Sequence, residues 1–569
     1  MYFNNEGANE VTYDAIVVGS GISGGWAAKE LCEKGLKTLV LERGKDVKHG
    51  DYPTATMEDW EFPNWGKITP EEAKKYPVQS RTSYIMHAAI LPWFIEDAMQ
   101  PYTEVKPFDW MRGYHVGGKS LLWGRHSYRW SDLDFEANAK DGIAVDWPIR
   151  YKDVSKWYDY VESFAGISGK NEGLSQLPDG KFLPEMPLNC VEADFREKLS
   201  KNMKGRVVTP GRVAHLTAPL TGSTRGTCQY RNRCMRGCPF GAYFSSNAST
   251  LPAAYATGNL TMRPYSVAHS IIYDKESGKA KGVRIIDAQT KETKEYFAKI
   301  IFLNAGTLNS TLIMMNSPSD RFPNGFGNDS GELGHNLMDH HFRVGGDANV
   351  DGFTDKYYKG RKPAGFYMPR FRNIDAASKQ KDFIRGYGYQ GSASREGWWR
   401  AIAEAGAGGE WKDKWQGPGQ WSIGMLAFGE CLPYHENQIS LNTGKMDPYG
   451  LPTLSIDCEW KENELAMRKD MVSSAGEMLA AAGYKDVTTY ATGGNPGLGI
   501  HEMGTARMGR DPKTSVLNEW NQVHACKNVF VTDGACMTSA ACVNPSLTYM
   551  AITARAAHHA VEELNKQNL

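Results

Sequence analysis

The sequence predicts an α/β fold, α+β overall, with a parallel βαβ unit near the N-terminus and further strand-bearing segments later in the chain. Three observations carry this. An apolar run from Tyr13 to Gly19 is followed by a glycine-rich turn, a helical stretch and a second apolar run from Lys37 to Glu42, the order of a βαβ unit with buried parallel strands. Residues 260 to 305 break into strand-like runs and turns that end in the apolar stretch Ile300 to Leu303. Residues 340 to 460 mix short strands with loops, and NQISLN followed by DPYGLPTLSID reads as a hairpin with a long loop.

The remaining elements follow in order. The first helix is expected from about Gly24 to Lys34, with Gly35 closing it. Residues 50 to 110, rich in Pro, Trp, Tyr and charge, read as irregular with short helices. Residues 146 to 166 turn helical after Pro148, and 220 to 250, dense in Gly, Cys, Arg and Asn, read as loop. A periodic helix is expected over 461–483, with Leu465, Met467, Met471 and Met478 on or near one face, and a last helix over about Leu547 to Leu564.

Composition narrows the function. At ~150 residues per domain the chain holds three or four domain equivalents, so its core needs no staples. Sixty-five Lys and Arg balance sixty-five Asp and Glu, which argues against the basic surface that nucleic-acid binding requires. No run of ~18 apolar residues marks a membrane span. The N-terminal stretch MYFNNEGANEVTYD lacks the basic and apolar regions of a signal peptide. Ten Cys are no small disulfide framework; Cys32, Cys190, Cys431 and Cys458 read as buried small hydrophobes.

Gly19-Ser-Gly21-Ile-Ser-Gly24 lies between the first strand and helix, and Glu42 ends the next strand. Gly19 makes the tight turn, Gly21 lets backbone N–H groups approach a pyrophosphate, and Gly24 lets helix and strand pack closely. The helix N-terminus favours the negative charge, and a carboxylate at Glu42 suits ribose hydroxyls. This is a dinucleotide cradle; its spacing does not choose between FAD and NAD.

That choice comes from five further motifs: RGYHVGGKSLLWG at 112–124, FLNAGTLNS at 302–310, LGHNLMDH at 333–340, HEMGTARMG at 501–509, and VTDGA at 531–535 followed by Asn544-Pro-Ser-Leu-Thr. In this order and spacing the chain resembles the glucose–methanol–choline (GMC) oxidoreductases over nearly its whole length. The resemblance implies a Rossmann-like FAD-binding domain interleaved with a substrate domain on an antiparallel sheet. It implies that residues 1–165, 226–340 and 501–569 bind FAD, that 226–340 also carries a Cys-rich loop, and that 166–225 and 341–500 form the substrate part. Arg43 and Val267 join Gly19, Gly21, Gly24 and Glu42 in the implied FAD set. Gly117, Gly118 and Ser120 wrap the flavin, and Ala305 and Gly306 meet the diphosphate. Asp533 and Gly534 meet the ribityl or pyrophosphate part, and Asn544 and Pro545 complete the implied set. In one branch of the family the flavin is attached to a His at the position of Leu122; Leu has no nucleophile, so noncovalent FAD is expected.

The family's catalytic His opens the His-x-x-Gly-Thr motif, which is His501 here, and its polar partner 43 residues later is Asn544. Oxidising an alcohol requires a base for the hydroxyl proton while a hydride leaves the carbon, and imidazole suits that proton near neutral pH. Asn is no base, but it orients the hydroxyl and supports the developing alkoxide. His340 and His341 form a second tempting pair, which the family pattern assigns to structure.

Cys228, Cys234 and Cys238 stand as C-x5-C-x3-C in a turn-rich loop with Arg231, Arg233 and Arg236 between them and Pro after the last. Spacing leaves an iron–sulfur cluster, zinc, and a disulfide or free thiols open. The resemblance selects among them: the same spacing occurs in the flavin subunits of bacterial glucose, fructose, gluconate and glucoside dehydrogenases, where it binds a 3Fe–4S cluster. The stretch CQYRNRCMRGCPFGAYFS and its continuation look most like glucoside 3-dehydrogenases. That implies oxidation at C3 to a 3-keto sugar, a small partner subunit that often carries the export signal, and electrons passed to a cytochrome c-type acceptor. A periplasmic location by co-export, or else a cytoplasmic one, is the matching expectation. In the substrate part, Trp398, Trp399, Trp411, Trp415 and Trp421 suit either sugar stacking or core packing, and Tyr387, Tyr389, Gln390 and Glu430 are candidate hydroxyl partners.

Overall fold

The fold is that of a computed structural model describing residues 12–82, 87–358, 360–362, 364–397 and 406–569. Its first sheet is built on β1 (Thr12–Val18), which pairs in parallel with β2 (Thr38–Leu41) on one side and with the strand Thr293–Leu303 on the other. Strand Cys526–Val531 extends the parallel order at one end and Leu260–Arg263 at the other. Strands Ser266–Asp274 and Lys279–Asp287 add an antiparallel edge. Ala15, Ile16 and Val17 are fully buried, as a parallel strand covered on both faces requires.

Helix α1 (Ile22–Glu33) joins β1 to β2 and packs against the C-terminal helix Ser546–Asn565. It starts two residues earlier than expected because the turn closes within Gly19–Gly21; Gly35 follows it at φ +84°, the left-handed region that glycine enters freely. Helix Tyr151–Ala165 ends as anticipated on a left-handed glycine, Gly166. Residues 220–250 form loop with a single helical turn, Cys234–Arg236, before helix Thr250–Ala256.

The second sheet has six strands, all antiparallel, in the order Lys485–Ala491, Val344–Val350, Trp421–Gly429, Tyr387–Arg395, Phe366–Met368 and Thr209–Pro210. Helix Glu462–Ala481 covers one face of it, burying Met467, Met471 and Met478. Leu465 departs from the expected face: it is 50% exposed. Two residues before Met467 it lies about 200° around the helix, on the solvent side. The expected hairpin forms as Gln438–Met446 with Pro452–Asp457, against the short strand Thr103–Glu104. Among the described residues no helix is long and apolar enough to cross a membrane, and all ten cysteines are free.

Candidate functional site

The glycine turn after β1 has the geometry its spacing predicts. Gly19 sits at φ +94°, and a Cβ there would lie 2.3 Å from the Asn304 carbonyl oxygen. A Cβ on Gly24 would lie 1.9 Å from the Gly19 oxygen, so helix and turn pack backbone to backbone. Gly21 is different: a Cβ there meets nothing within 4 Å, because its face opens into a cavity of about 460 Å³. That volume lies in the range of small-molecule and cofactor sites. Glu42 reaches its wall; one carboxylate oxygen accepts from the Ser20 N–H and hydroxyl, the other from the Gly44 N–H. Burial raises its pKa while these bonds oppose the rise.

The flavin-loop motif closes over this turn. The Gly117 N–H donates to the Ser20 hydroxyl, and Gly118, Lys119, Ser120 and Leu122 line the cavity. Gly117 itself does not; at φ +89° it packs where a Cβ would strike the Asn247 side chain. Ala305, Gly306, Asp533 and Gly534 lie on the wall as expected. Asp533 ties two motifs together by accepting from the Gly306 N–H and the Ser310 hydroxyl, and burial raises its pKa to about 6. Arg43 also lines the cavity, pairing with Asp447 and Gln100 and resting over the rings of Tyr114 and Tyr449.

Besides Gly117, Val267 and Pro545 are displaced from the wall. Val267 is fully buried in strand Ser266–Asp274, and its neighbours Ser266 and Ala268 face the cavity instead, since successive side chains alternate. The register shift after Ala268 then brings His269 to the wall. Pro545 is buried at the start of the last helix, with Asn544 and Ser546 on the wall around it.

At the other end of the cavity stand His501 and Asn544, with the Asn544 Nδ2 3.4 Å from the His501 Nε2. Two sets of backbone hydrogen bonds set this placement. Met338 and Met503 exchange backbone hydrogen bonds, which lays the 333–340 motif beside the 501–509 motif. Asp339 then accepts backbone N–H bonds from Gly497, Gly499 and His501. Burial and the Glu502 charge raise the Asp339 pKa to about 7.

His340, expected to be structural only, meets His501 directly: their Nδ1 atoms are 2.9 Å apart. The His340 Nε2 lies 3.1 and 2.9 Å from the carbonyl oxygens of Ala540 and Ala541. Carbonyls only accept, so that nitrogen carries the proton. Burial lowers the His340 pKa to about 4, so the ring is neutral and its bare Nδ1 accepts from His501 Nδ1–H. The His501 Nε2 is therefore left with a free lone pair facing Asn544. Burial first, then the proximity of His340, Lys119 and His126, holds the His501 pKa well below 6.5. No spacing rule links His340 to His501, 161 positions apart; only their separate motifs marked either segment. His341 turns away toward Trp460.

The three loop cysteines share a smaller cavity of about 20 Å³. Cys234, His215 and Lys362 line it and the large cavity alike, so the two adjoin. The Cys228 thiol is pushed up to about 11 by burial and by the nearby Cys234 and Cys238. Among the described residues no group of His, Cys, Asp and Glu is arranged to hold a metal ion. Arg231, Arg233 and Arg236, between the cysteines, donate to the carbonyls of Ala55, Thr56 and Met57. Arg231 and Arg233 also line the sulfur cavity, and the Arg231 charge opposes the rise of the Cys228 pKa. Arg125, which donates to the Cys234 carbonyl, and Lys362 add further positive charge beside the sulfurs.

Of the candidate hydroxyl partners, only Gln390 reaches the cavity. Tyr387 and Tyr389 point to the other face of their strand, bonding Asp470 and the Met471 carbonyl of the covering helix. Glu430 is fully buried against Arg385. Trp421 is a core residue whose indole N–H donates to Phe353, and Trp411 and Trp415 do not line the cavity. Trp398 and Trp399 lie outside the described residues. The indoles on the wall are Trp110 and Trp123, from the flavin-loop segment.

Comparison with known proteins agrees with this layout. Two family models described as GMC oxidoreductase match residues 13–342 and 433–553. A 2-methyl-1,2-propanediol dehydrogenase from Mycolicibacterium austroafricanum is 27% identical over 95% of this chain and 94% of its own. The fructose dehydrogenase large subunit of Gluconobacter japonicus is 24% identical, covering 97% and 98%. Among solved structures, pyridoxine 4-oxidase from Mesorbium loti superposes with a TM-score of 0.60 at 18% identity, over 96% of this chain and 99% of that one.

Proposed function

Since the chain belongs to the GMC oxidoreductase family, we propose that it is an FAD-dependent dehydrogenase of a glucoside hydroxyl, at C3, giving a 3-keto glucoside. In this reading FAD would be held noncovalently, and Cys228, Cys234 and Cys238 would hold a 3Fe–4S cluster, which would supply one-electron transfer toward a cytochrome c-type acceptor. A small partner subunit and periplasmic co-export with it complete the proposal. The single observation that carries the core of it is that one cavity joins the open face of Gly21 to the bare Nε2 of His501.

The residues present fit FAD. Gly21 leaves room for a pyrophosphate, Glu42 stands at the ribose end, and Leu122 offers no attachment point. Bound FAD supplies a two-electron acceptor for the hydride. The protein's part is proton handling. His501 Nε2 takes the hydroxyl proton, and the Asn544 amide N–H donates to the oxygen as it gains negative charge. Burial holds the His501 pKa down, so the ring is neutral at physiological pH.

For the cluster, the fit is one of donor chemistry: three free soft sulfurs line one cavity, with Arg125 and Lys362 to offset their charge. Its support is the C-x5-C-x3-C run and the likeness to a fructose dehydrogenase subunit. The C3 assignment rests on the resemblance of the loop sequence alone.

Anaerobic addition of methyl glucoside should bleach the flavin absorbance, and product NMR should show a ketone at C3. A flavin that stays oxidised with every glucoside and alcohol tested overturns the reading; a ketone at another carbon overturns only the position. An iron and acid-labile sulfide assay beside the flavin spectrum tests the cluster. Cys228→Ser, at a residue that lines only the sulfur cavity, should leave sugar-driven flavin reduction near wild type while slowing cytochrome reduction at least about tenfold. Cytochrome reduction at full speed in that variant, or peroxide formed in its place under air, removes the relay.

A further inference from the structure

Gln390 sits on the second sheet, in strand Tyr387–Arg395, and is a polar side chain from that sheet beside the His501–Asn544 pair, where Phe428 of the adjoining strand also meets the His501 ring. Its side-chain Nε2 lies 2.6 Å from the Asn544 Oδ1. Resting on the reading that His501 and Asn544 flank the reacting hydroxyl, we propose that Gln390 is a positioning residue that fixes which end of the Asn544 amide faces His501.

The polarity of the whole chain of contacts can be followed link by link. The Ala540 and Ala541 carbonyls put the His340 proton on Nε2, and His340 Nδ1 then accepts from His501 Nδ1. The turn that aims those carbonyls holds Ala541 at φ +53°, and the residue before His501, Ile500, is at φ +58°. A β-branched residue in the left-handed region is uncommon, so both ends of the arrangement are held by surrounding structure. With His501 Nε2 bare, an Asn544 oxygen turned toward it would set lone pair against lone pair. The Gln390 N–H prevents this by binding that oxygen, which leaves the Asn544 N–H2 toward His501.

The remaining gap matters. At 3.4 Å, the Asn544–His501 contact is too long to be a strong hydrogen bond. A hydroxyl that reaches it can donate to His501 Nε2 and accept from Asn544 Nδ2 at once, and it meets both in the required polarity without any amide turning. Only strand alternation puts Gln390 here: Tyr387 and Tyr389, on the other face, are committed to the covering helix.

The test uses holoenzyme and two variants. In Gln390→Glu the carboxylate only accepts, so the Asn544 N–H2 must turn to it and its oxygen must face His501 Nε2, a clash that protonation of His501 relieves. Gln390→Leu leaves the amide unheld with no new charge. The groups that face His501 from other elements are His340, Lys119 and His126, with Asp339 on its backbone and Glu502 beside it in sequence; position 390 changes none of them. For Gln390→Glu the acid limb of the flavin-reduction rate should move up by at least about one pH unit, with the rate at pH 7 down roughly tenfold or more. Gln390→Leu should show a smaller shift and a smaller loss. Wild-type profiles in both variants, or equal losses at every pH with the limb unmoved, overturn the proposal.

A second readout needs no turnover. In protein labelled with ¹⁵N-histidine, the His501 signal is identified by its absence from His501→Gln. It should report a neutral ring with the proton on Nδ1 at pH 7 in the wild type, and a titration displaced upward in Gln390→Glu. An undisplaced titration overturns the positioning role even where the proposed reaction holds. Failure of every sugar to bleach the wild-type flavin overturns the proposed reaction and leaves this measurement to decide the role of Gln390.

Discussion

Replacing His501 with alanine is expected to slow sugar-driven flavin reduction by roughly 10²–10⁴-fold, the range for loss of a general base. The flavin should remain bound, since His501 makes no contact in the Gly19–Gly24 turn that forms the nucleotide cradle. The expectation rests on the neutral, Nε2-bare state of His501, which the carbonyls of Ala540 and Ala541 impose through His340. The same state fixes the pH dependence. A base whose pKa is held well below 6.5 stays unprotonated as pH falls from 8 through 6. Wild-type flavin reduction should therefore be flat over that window and decline only on its acid side, where His501 takes up a proton. Stopped-flow absorbance across pH checks both points. A His501→Ala enzyme within tenfold of wild type, or a wild-type rate that falls by half near pH 6.5, removes His501 from the proton step.

The second large effect belongs to the glycine turn, where two neighbouring substitutions should fail for different reasons. In Gly19→Ala the new Cβ meets the Asn304 carbonyl at 2.3 Å in a residue held at φ +94°. Neither the backbone nor the left-handed conformation can yield cheaply; strain of ~1–3 kcal/mol, released when the turn opens, should weaken FAD retention about 5- to 150-fold. Thermal stability of the flavin-free protein should drop as well. In Gly21→Ala the Cβ meets no protein atom within 4 Å, so the flavin-free protein should melt as wild type does. Its face is the one that opens to the cavity, so FAD should still be lost. Flavin content by absorbance and melting of the stripped protein separate the two. A Gly21→Ala protein that keeps its full flavin complement means that the pyrophosphate does not lie against that glycine.

The motifs themselves were readable because local backbone geometry demands particular residues. Gly19, Gly24 and Gly117 stand where a Cβ would collide with main chain or a neighbouring amide, so the chain can only be glycine there. Val267 and Pro545 show where such reading stops. Each lies within a segment that does reach the cavity, yet strand alternation and the start of the last helix turn the neighbouring residues to the wall. The tryptophans of the second sheet repeat the point. Indole suits both a sugar face and a core, and Trp421 proved to be core because its strand alternates inward at that position.

The βαβ unit and the glycine cradle were legible in the residues alone, because periodicity and turns that only glycine can make are short-range patterns. The antiparallel second sheet and the pairing of His501 with Asn544, 43 positions apart, were legible through the family resemblance of the motifs. That His340 meets His501 across 161 residues, that Asp339 gathers the loop 497–501, and that Gln390 bonds Asn544 emerged with the folded arrangement. The reason is that hydrogen-bond polarity and burial belong to juxtaposed segments. Which nitrogen of an imidazole carries its proton depends on the groups the completed fold brings against it, and no run of neighbouring residues records that.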